Sequence, residues 1–388
     1  MVIGASLAVE MFRVVDATPA PAARARTKMW SPASASWVEP TGVGARTLCN
    51  YLGAALAAAG LDDEVRIYDC GAGGSSISFW ANPADNHWGA SGALRANAMA
   101  QVAAGGVVPD IVGCWQGWQD FLCPLSSSYI RSAVIDSFDD LYEAFKAAWG
   151  SGLLFDVWPP GRCNYPPPAA TSAPVVQSAQ IAWALSTPGA ALGVSNYDMP
   201  LRDGVHGTGA GYKTAGTRGG IAIAARLEIP GFVGIEVPRI TAASRHGSTI
   251  TLETNAAGSL FSINEATGFF VWDSAWAWVT ITFARTMGKR IRIDLGSASG
   301  SHITYQRGID ADIAHAIYTK IKGEDFPLSP HPDENLELSD ITIGALKLRV
   351  ATLNARVASL ETELAALAAR VMALELKSLY GSGGAPPD

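Results

Sequence analysis

Thr47-Leu-Cys-Asn-Tyr-Leu-Gly-Ala-Ala-Leu-Ala-Ala-Ala59, followed after a short break by Val65-Arg-Ile-Tyr68, is the stretch whose reading decides the fold. The first part carries apolar residues at helical spacing; the second is an apolar run of strand length. The same alternation continues in both directions. Val2-Ile3 is a strand stub, 94–104 is helical, 107–113 a strand, 136–149 an amphipathic helix and 153–157 a strand. A Pro-rich loop over 159–174 precedes a helix over 175–185 and a strand over 191–194. Short apolar strands alternating with Ala-rich helices predict an α/β layer fold over residues 1–228. Strands covered on both faces by crossover helices need no polar alternation.

From about 230 the texture changes. Thr249-Ile-Thr-Leu-Glu-Thr254, Phe269-Phe-Val-Trp272, Trp278-Val-Thr-Ile-Thr-Phe283 and Arg290-Ile-Arg-Ile-Asp-Leu295 alternate and are separated by Gly, Asn and Ser. This spacing predicts a small antiparallel β-sandwich over 229–335, with a short helix over 311–322. Over 336–380 a third pattern takes over. Ile343, Leu346, Val350, Leu353, Val357, Leu360, Leu364, Leu367, Val371 and Leu374 recur alternately three and four residues apart. That is the a/d seam of a coiled coil, about 48 Å long at ~1.5 Å per residue. A lone helix would leave the stripe wet, so residues 343–374 are expected to associate in parallel. Ile or Val at a with Leu at d favours a dimer. Arg356-Val-Ala-Ser-Leu-Glu361 and Arg370-Val-Met-Ala-Leu-Glu375 instead resemble the pattern of trimeric coiled coils and favour a homotrimer. Residues 381–388, GSGGAPPD, end the helix as a flexible tail.

Composition narrows the function classes. The 388 residues are 48% hydrophobic and 16% charged, so apolar surface is ample and disorder is excluded as the main state. A net charge of −7 argues against nucleic acid as a partner. No uninterrupted apolar run reaches the ~18 residues of a membrane span, so no membrane insertion is expected. The five cysteines, Cys49, Cys70, Cys114, Cys123 and Cys163, form no C-x-x-C pair, so neither a zinc site nor a disulfide framework is indicated. The N-terminal segment lacks a basic leader, Glu10 interrupts its apolar run and Arg13 follows; it reads as mature protein made in a cytoplasm without an export signal.

The candidate chemistry lies where predicted strands end. Ser6, in Gly4-Ala5-Ser6, follows the first strand, where open α/β sheets place their ligands. Gly71-Ala-Gly-Gly-Ser-Ser-Ile77 follows the 65–68 strand and can aim backbone N–H groups into a cleft; it lacks the lysine of a phosphate loop. Trp115-Gln116-Gly-Trp118-Gln-Asp120 follows the next strand, and its amide suits an oxyanion. In Asp203-Gly-Val-His206 the carboxylate can fix the imidazole tautomer while the other ring nitrogen faces a nucleophile.

In this order the segments resemble the blocks of the SGNH (GDSL-type) hydrolases. The flavour is closest to the branch of sialate O-acetylesterases and plant acetyl-xylan-esterase-like proteins, with Gly-Gly-Thr/Ser-Ser-Ile and Trp-x-Gln-Gly-Glu-x-Asp. The resemblance covers residues 1–228 and implies a three-layer, flavodoxin-like domain. It also implies Ser6 as nucleophile, His206 as base and Asp203 as its orienting carboxylate. The oxyanion donors would be the N–H of Ser6, an N–H of Gly73 or Gly74, and the side chain of Gln116. No cofactor and no metal are implied. The sequence departs from the family at Ala5, where Asp or Gln is usual, and at Trp118, where Glu is usual. Both changes bear on the pocket rather than on the triad.

Trp80, Trp115 and Trp118, with Asp120, are the substrate-binding candidates, since aromatic faces suit the apolar faces of sugar rings. The activity expected is removal of O-acetyl groups from a polysaccharide; the alternative is a trimeric carbohydrate-binding adhesin or structural fibre protein without catalysis. An α/β esterase, a β-rich module and a coiled coil together resemble phage tail-fibre or spike proteins. That implies a virion location reached after lysis, with other virion proteins as partners. A trimeric esterase in a bacterial cytoplasm or at its surface is the alternative.

Overall fold

The computed structural model describes the chain except for residues 15–23, 78–85, 90–91, 122–126, 161–172, 263–268, 276, 297–299, 306–316, 330–335, 338 and 341–388. It has two units, Met1–Leu338 and Ser339–Asp388. In the second unit only the strand Ser339–Asp340 is described, so the heptad seam over 343–374 and the tail lie outside the described residues. A helix does not begin at 336: Leu336–Glu337 and Ser339–Asp340 are both extended. Leu336 and Leu338 alternate there with Glu337 and Ser339, a two-residue period that suits a strand.

The N-terminal part of the first unit is built on β1 (Val2–Gly4), β2 (Thr27–Ser31), β3 (Ser36–Val38), β4 (Val65–Gly71), β5 (Ile111–Trp115), β6 (Leu154–Val157) and β7 (Ala190–Leu192). They form one sheet in the order β3-β2-β4-β1-β5-β6-β7, parallel throughout except for the β2–β3 hairpin. The helices are α1 (Ser6–Arg13), α2 (Val43–Ala58), α3 (Ala93–Gly105), α4 (Trp118–Phe121), α5 (Ser127–Trp149), α6 (Ala173–Ser186) and α7 (Gly209–Arg226). α1, α2 and α7 pack together, and α3, α5 and α6 form another group, as right-handed crossovers around a parallel sheet require. β5 is buried at every residue, which is why it reads as an unbroken apolar run. The result is an α/β fold.

The strand order fixes where a ligand would sit. The chain first winds from β1 toward β4, then crosses to β5 on the other side of β1. The β1/β5 boundary is therefore the topological switch point, and its crevice opens beyond the carboxyl ends of those strands. Glycines let α7 close on α2: a Cβ at Gly216 would run into the carbonyl of Gly44.

From β8 (Ile240–His246) onward the strands are β9 (Thr249–Thr254), β10 (Phe261–Ser262), β11 (Phe269–Trp272), β12 (Trp278–Val279), β13 (Phe283–Met287), β14 (Arg290–Asp294), β15 (His302–Tyr305), β16 (Ile317–Ile321) and β17 (Glu324–Pro327). All their pairings are antiparallel. They surround a second core that includes Ile250, Leu252, Val271, Ile291, Ile293 and Ile303. The run 278–283 is not one strand, because Trp278–Val279 pairs with β11 whereas β13 pairs with β14. The helix expected over 311–322 is also overturned where it is described. Ile317–Ile321 is a strand whose Ile317, Thr319 and Ile321 are buried while Lys320 is exposed. Lys322 (φ 53°) and Gly323 (φ 85°) turn it into β17, the two left-handed residues of a tight hairpin. Ile321 and Phe326 of this hairpin join the core of the α/β sheet.

Candidate active site

Three strand ends meet at the crevice. Gly4 has φ 138°, and a Cβ there would overlap the carbonyl oxygen of Trp115, so only glycine lets β1 leave the sheet this close to β5. The Ala5 N–H then donates to the Trp115 carbonyl (3.1 Å), and α1 starts at Ser6. The N–H groups of Ala8 and Val9 bond back to the Ala5 carbonyl, and no side chain among the described residues caps the helix. The Ser6 N–H finds no acceptor among the described residues. It stands at the positive end of the helix, where negative charge is stabilised.

The glycine turn after β4 is tied to the same point. The Ala72 N–H donates to the Gly4 carbonyl (2.9 Å), and Ser75 Oγ lies 3.3 Å from that oxygen. Gly73 and Gly74 are exposed at the tip, with Gly74 at φ 67°. Asn86 Nδ2 donates to the Gly73 carbonyl (3.1 Å), fixing the turn's orientation. The turn and the first residues of α1 thus flank one spot.

The imidazole loop follows β7. Its base is braced by the Thr208 N–H on the Pro200 carbonyl (2.8 Å) and the Arg202 N–H on the His206 carbonyl (2.9 Å). Asp203 Oδ1 accepts the backbone N–H groups of Val205 (2.8 Å) and His206 (2.7 Å), and Oδ2 meets His206 Nδ1 at 2.9 Å. Burial alone would raise the Asp203 pKa. The two backbone donors and the imidazole outweigh it and hold the carboxyl at about 2. With the carboxylate ionised, the proton stays on Nδ1 and Nε2 is left as the basic nitrogen. Nε2 has no partner among the described residues. Arg202 Nη2 reaches Glu10 Oε2 on α1 (2.8 Å), and its Nε lies 3.9 Å from Asp203 Oδ2. Glu10 is one helical turn past Ser6, on the same face. The pair therefore ties the loop of Asp203 and His206 to the helix that begins with Ser6. Sequence reading missed this tether, although the charged Glu10 inside an apolar run was its signal.

Three expected site residues do other work. Gln116 is fully buried. Its amide donates to the Ser75 carbonyl (2.6 Å) and points toward Asp120 Oδ2 (3.5 Å), so both N–H groups are engaged and the side chain braces the glycine turn rather than standing open as an oxyanion donor. Asp120 is equally buried and accepts the Ile77 N–H (2.9 Å); it anchors the 75–77 segment and offers no surface to a substrate. Trp115 is buried edge-on between Trp158 and Tyr212, with ring centroids 5.8 and 6.1 Å away, so its face is closed to a sugar. Gln180, which no motif flagged, holds the Gln116 carbonyl through Nε2 (2.7 Å). Trp80 and the Trp118 side chain lie outside the described residues. Cys49, Cys70 and Cys114 are buried free thiols; burial pushes the first two up to about 12 and raises the third further, which removes them as nucleophiles near neutral pH.

No family model matches the chain, and neither does any curated protein. Solved structures do. A carbohydrate acetylesterase from Xanthomonas citri superposes with a TM-score of 0.55 at 15% identity, over 76% of this chain and 67% of that one. A protein from Arabidopsis thaliana gives 0.44 at 14% identity, over 56% and 87%. A peptidoglycan O-acetylesterase gives 0.25 at 19% identity, over 43% and 47%. The first of these shows that the α/β fold is similar to that of a carbohydrate acetylesterase.

Proposed function

We propose that the chain is a serine esterase that removes O-acetyl groups from a carbohydrate. The carrying observation is the Asp203–His206 pair, held at 2.9 Å on a loop tethered to the helix whose first residue is Ser6. Ser6 Oγ attacks the acetyl carbonyl while His206 Nε2 takes its proton. The oxyanion is met by the Ser6 N–H and the N–H groups of the Gly73–Gly74 turn. His206 then protonates the leaving sugar hydroxyl, and water, deprotonated by the same nitrogen, releases acetate from Ser6. The residues named suffice for acyl transfer. Fold similarity to a carbohydrate acetylesterase supports the choice of substrate class.

The wider organisation belongs to the same proposal: an esterase domain over 1–228, a β-sandwich accessory domain over 229–335, and a parallel trimer through 343–374 that presents three esterase heads on a phage fibre or spike. Host-surface polysaccharide would then be the substrate. Sedimentation of the full chain as a monomer or dimer would refute the trimer. Acetate release from acetylated xylan, or 4-nitrophenol from 4-nitrophenyl acetate, tests the activity. Ser6→Ala should abolish both, whereas undiminished turnover would remove Ser6 from the mechanism, and glycan binding without any turnover would favour an adhesin.

A further inference from the structure

We infer that a second, non-catalytic contact for a neutral sugar ring lies in the cavity of about 310 Å³ between the loop after β7, α7 and the β16–β17 hairpin. The volume is at the lower end of small-molecule sites, roughly 300–1,000 Å³, so it suits one ring rather than a chain. The inference rests on the esterase reading for its ligand class, and it assigns that enzyme a hold on its polymer beyond the acetylated residue.

The chemistry of the lining carries the argument. Asn196 is 2% exposed, lines the cavity, and neither its Oδ1 nor its Nδ2 has a hydrogen-bond partner among the described residues. A buried amide left unpaired on both atoms is costly, and a group that both donates and accepts relieves it, as a hydroxyl does. Thr214 adds a second such group, and Glu324 on the hairpin adds an acceptor. The remaining charges are balanced. Asp198 is clamped by Arg218 through paired bonds of 2.7 and 2.8 Å, and Asp325 is held by Lys320 at 2.6 Å. Among the described residues Glu324 is the lining carboxylate without a cationic partner. Excess negative charge disfavours an anion, the Asn196 Nδ2 donor would be wasted on a cation, and no cluster of three metal-binding side chains occurs among the described residues. Met199 and Pro200 give the apolar wall that a pyranose face needs. They also belong to the segment that leads into Asp203 and His206, with Pro200 bonded to Thr208. A ring seated here would lie against the base of the imidazole loop.

The test is direct binding, independent of chemistry. Ser6→Ala full-length chain is titrated calorimetrically with xylotetraose and with tetra-N-acetylchitotetraose, alone and combined with Asn196→Ala or Glu324→Gln. One tetramer should bind, and each added substitution should weaken it about tenfold. The melting temperature of Asn196→Ala should be unchanged or raised, since an unpaired buried amide is removed; a purely structural Asn196 would lower it. Failure of both tetramers to bind, or full-strength binding by both variants, overturns the inference. Ester hydrolysis by the chain with Ser6 intact is scored separately. Binding that follows this pattern without hydrolysis sinks the esterase and spares the cavity, and hydrolysis without binding does the reverse.

Discussion

Replacing Asp203 with Asn probes the account at its most defined geometry. The carboxylate makes three contacts, two to backbone N–H groups through Oδ1 and one to His206 Nδ1 through Oδ2. Asparagine can keep the first two with its carbonyl, so the loop should stay formed. Its amide nitrogen then faces Nδ1, and two donors cannot pair. The imidazole must move its proton to Nε2, the atom needed as base. In serine proteases the equivalent exchange costs about 10⁴ in kcat, or roughly 5.4 kcal/mol at ~1.36 kcal/mol per decade. The Asp203 side chain is 47% exposed, so water screens part of the charge effect. The expected loss is about 10²–10³ in kcat for 4-nitrophenyl acetate, with KM nearly unchanged because the group does not touch substrate. Asp203→Ala should lose as much activity and, with the two backbone N–H groups uncapped, roughly 1 kcal/mol of stability as well. An Asp203→Asn enzyme within tenfold of the parent would refute the tautomer argument.

Other perturbations test neighbouring parts of the account. Glu10→Ala or Arg202→Ala should lower kcat about tenfold by freeing the imidazole loop, yet cost under about 1 kcal/mol in urea unfolding, as exposed pairs do; the Glu10→Arg, Arg202→Glu double exchange should recover part of the rate. Asp203 is held at about 2, below its ordinary 3.8. Its stabilising contribution is therefore complete above about pH 4 and lost as pH falls through 2, and the stability gap between parent and Asp203→Asn should close over that window. Asp156 has the opposite sign. Burial raises it to about 7 against the pull of Arg226, so the parent should lose stability as pH rises from about 4 to 7, and Asp156→Asn should flatten that slope. Gly4→Ala meets both a positive φ and the Trp115 carbonyl and should destabilise by about 3 kcal/mol or more, seen as insoluble expression or a large fall in the urea midpoint.

The parallel sheet is legible in the sequence because its inner strands are short apolar runs, buried throughout in β1 and β5, and its helices are Ala-rich, so 65–68 and 153–157 stand out locally. The β2–β3 hairpin is not legible. Thr27–Ser31 and Ser36–Val38 are short and mixed, and they join the sheet through cross-strand packing of Trp30 on Trp37 (5.6 Å) and of Trp37 on Tyr68 (5.0 Å) from β4. The β16–β17 hairpin carried a readable signal, Lys322-Gly323 between alternating residues, that the helical reading of 311–322 overlooked. In the candidate site, Asp203 and His206 are legible because the contact is local, three residues apart. Gln116 and Asp120 are not. Which way a buried amide or carboxylate points is set by Ser75 and Ile77 from another crossover, and strand-end position alone cannot distinguish a brace from an open donor.

In the proposed mechanism Ser6 and His206 act on one acyl group across the β1/β5 crevice. A fluorophosphonate reacts far faster with a serine whose hydroxyl is activated by a neighbouring base than with an ordinary one, so labelling followed by peptide mass spectrometry tests this without knowledge of the sugar. Stoichiometric label is expected on the peptide containing Ser6, and label reduced at least about 100-fold in His206→Ala. Label on another serine, or equal labelling of Ser6 when His206 is absent, would contradict it.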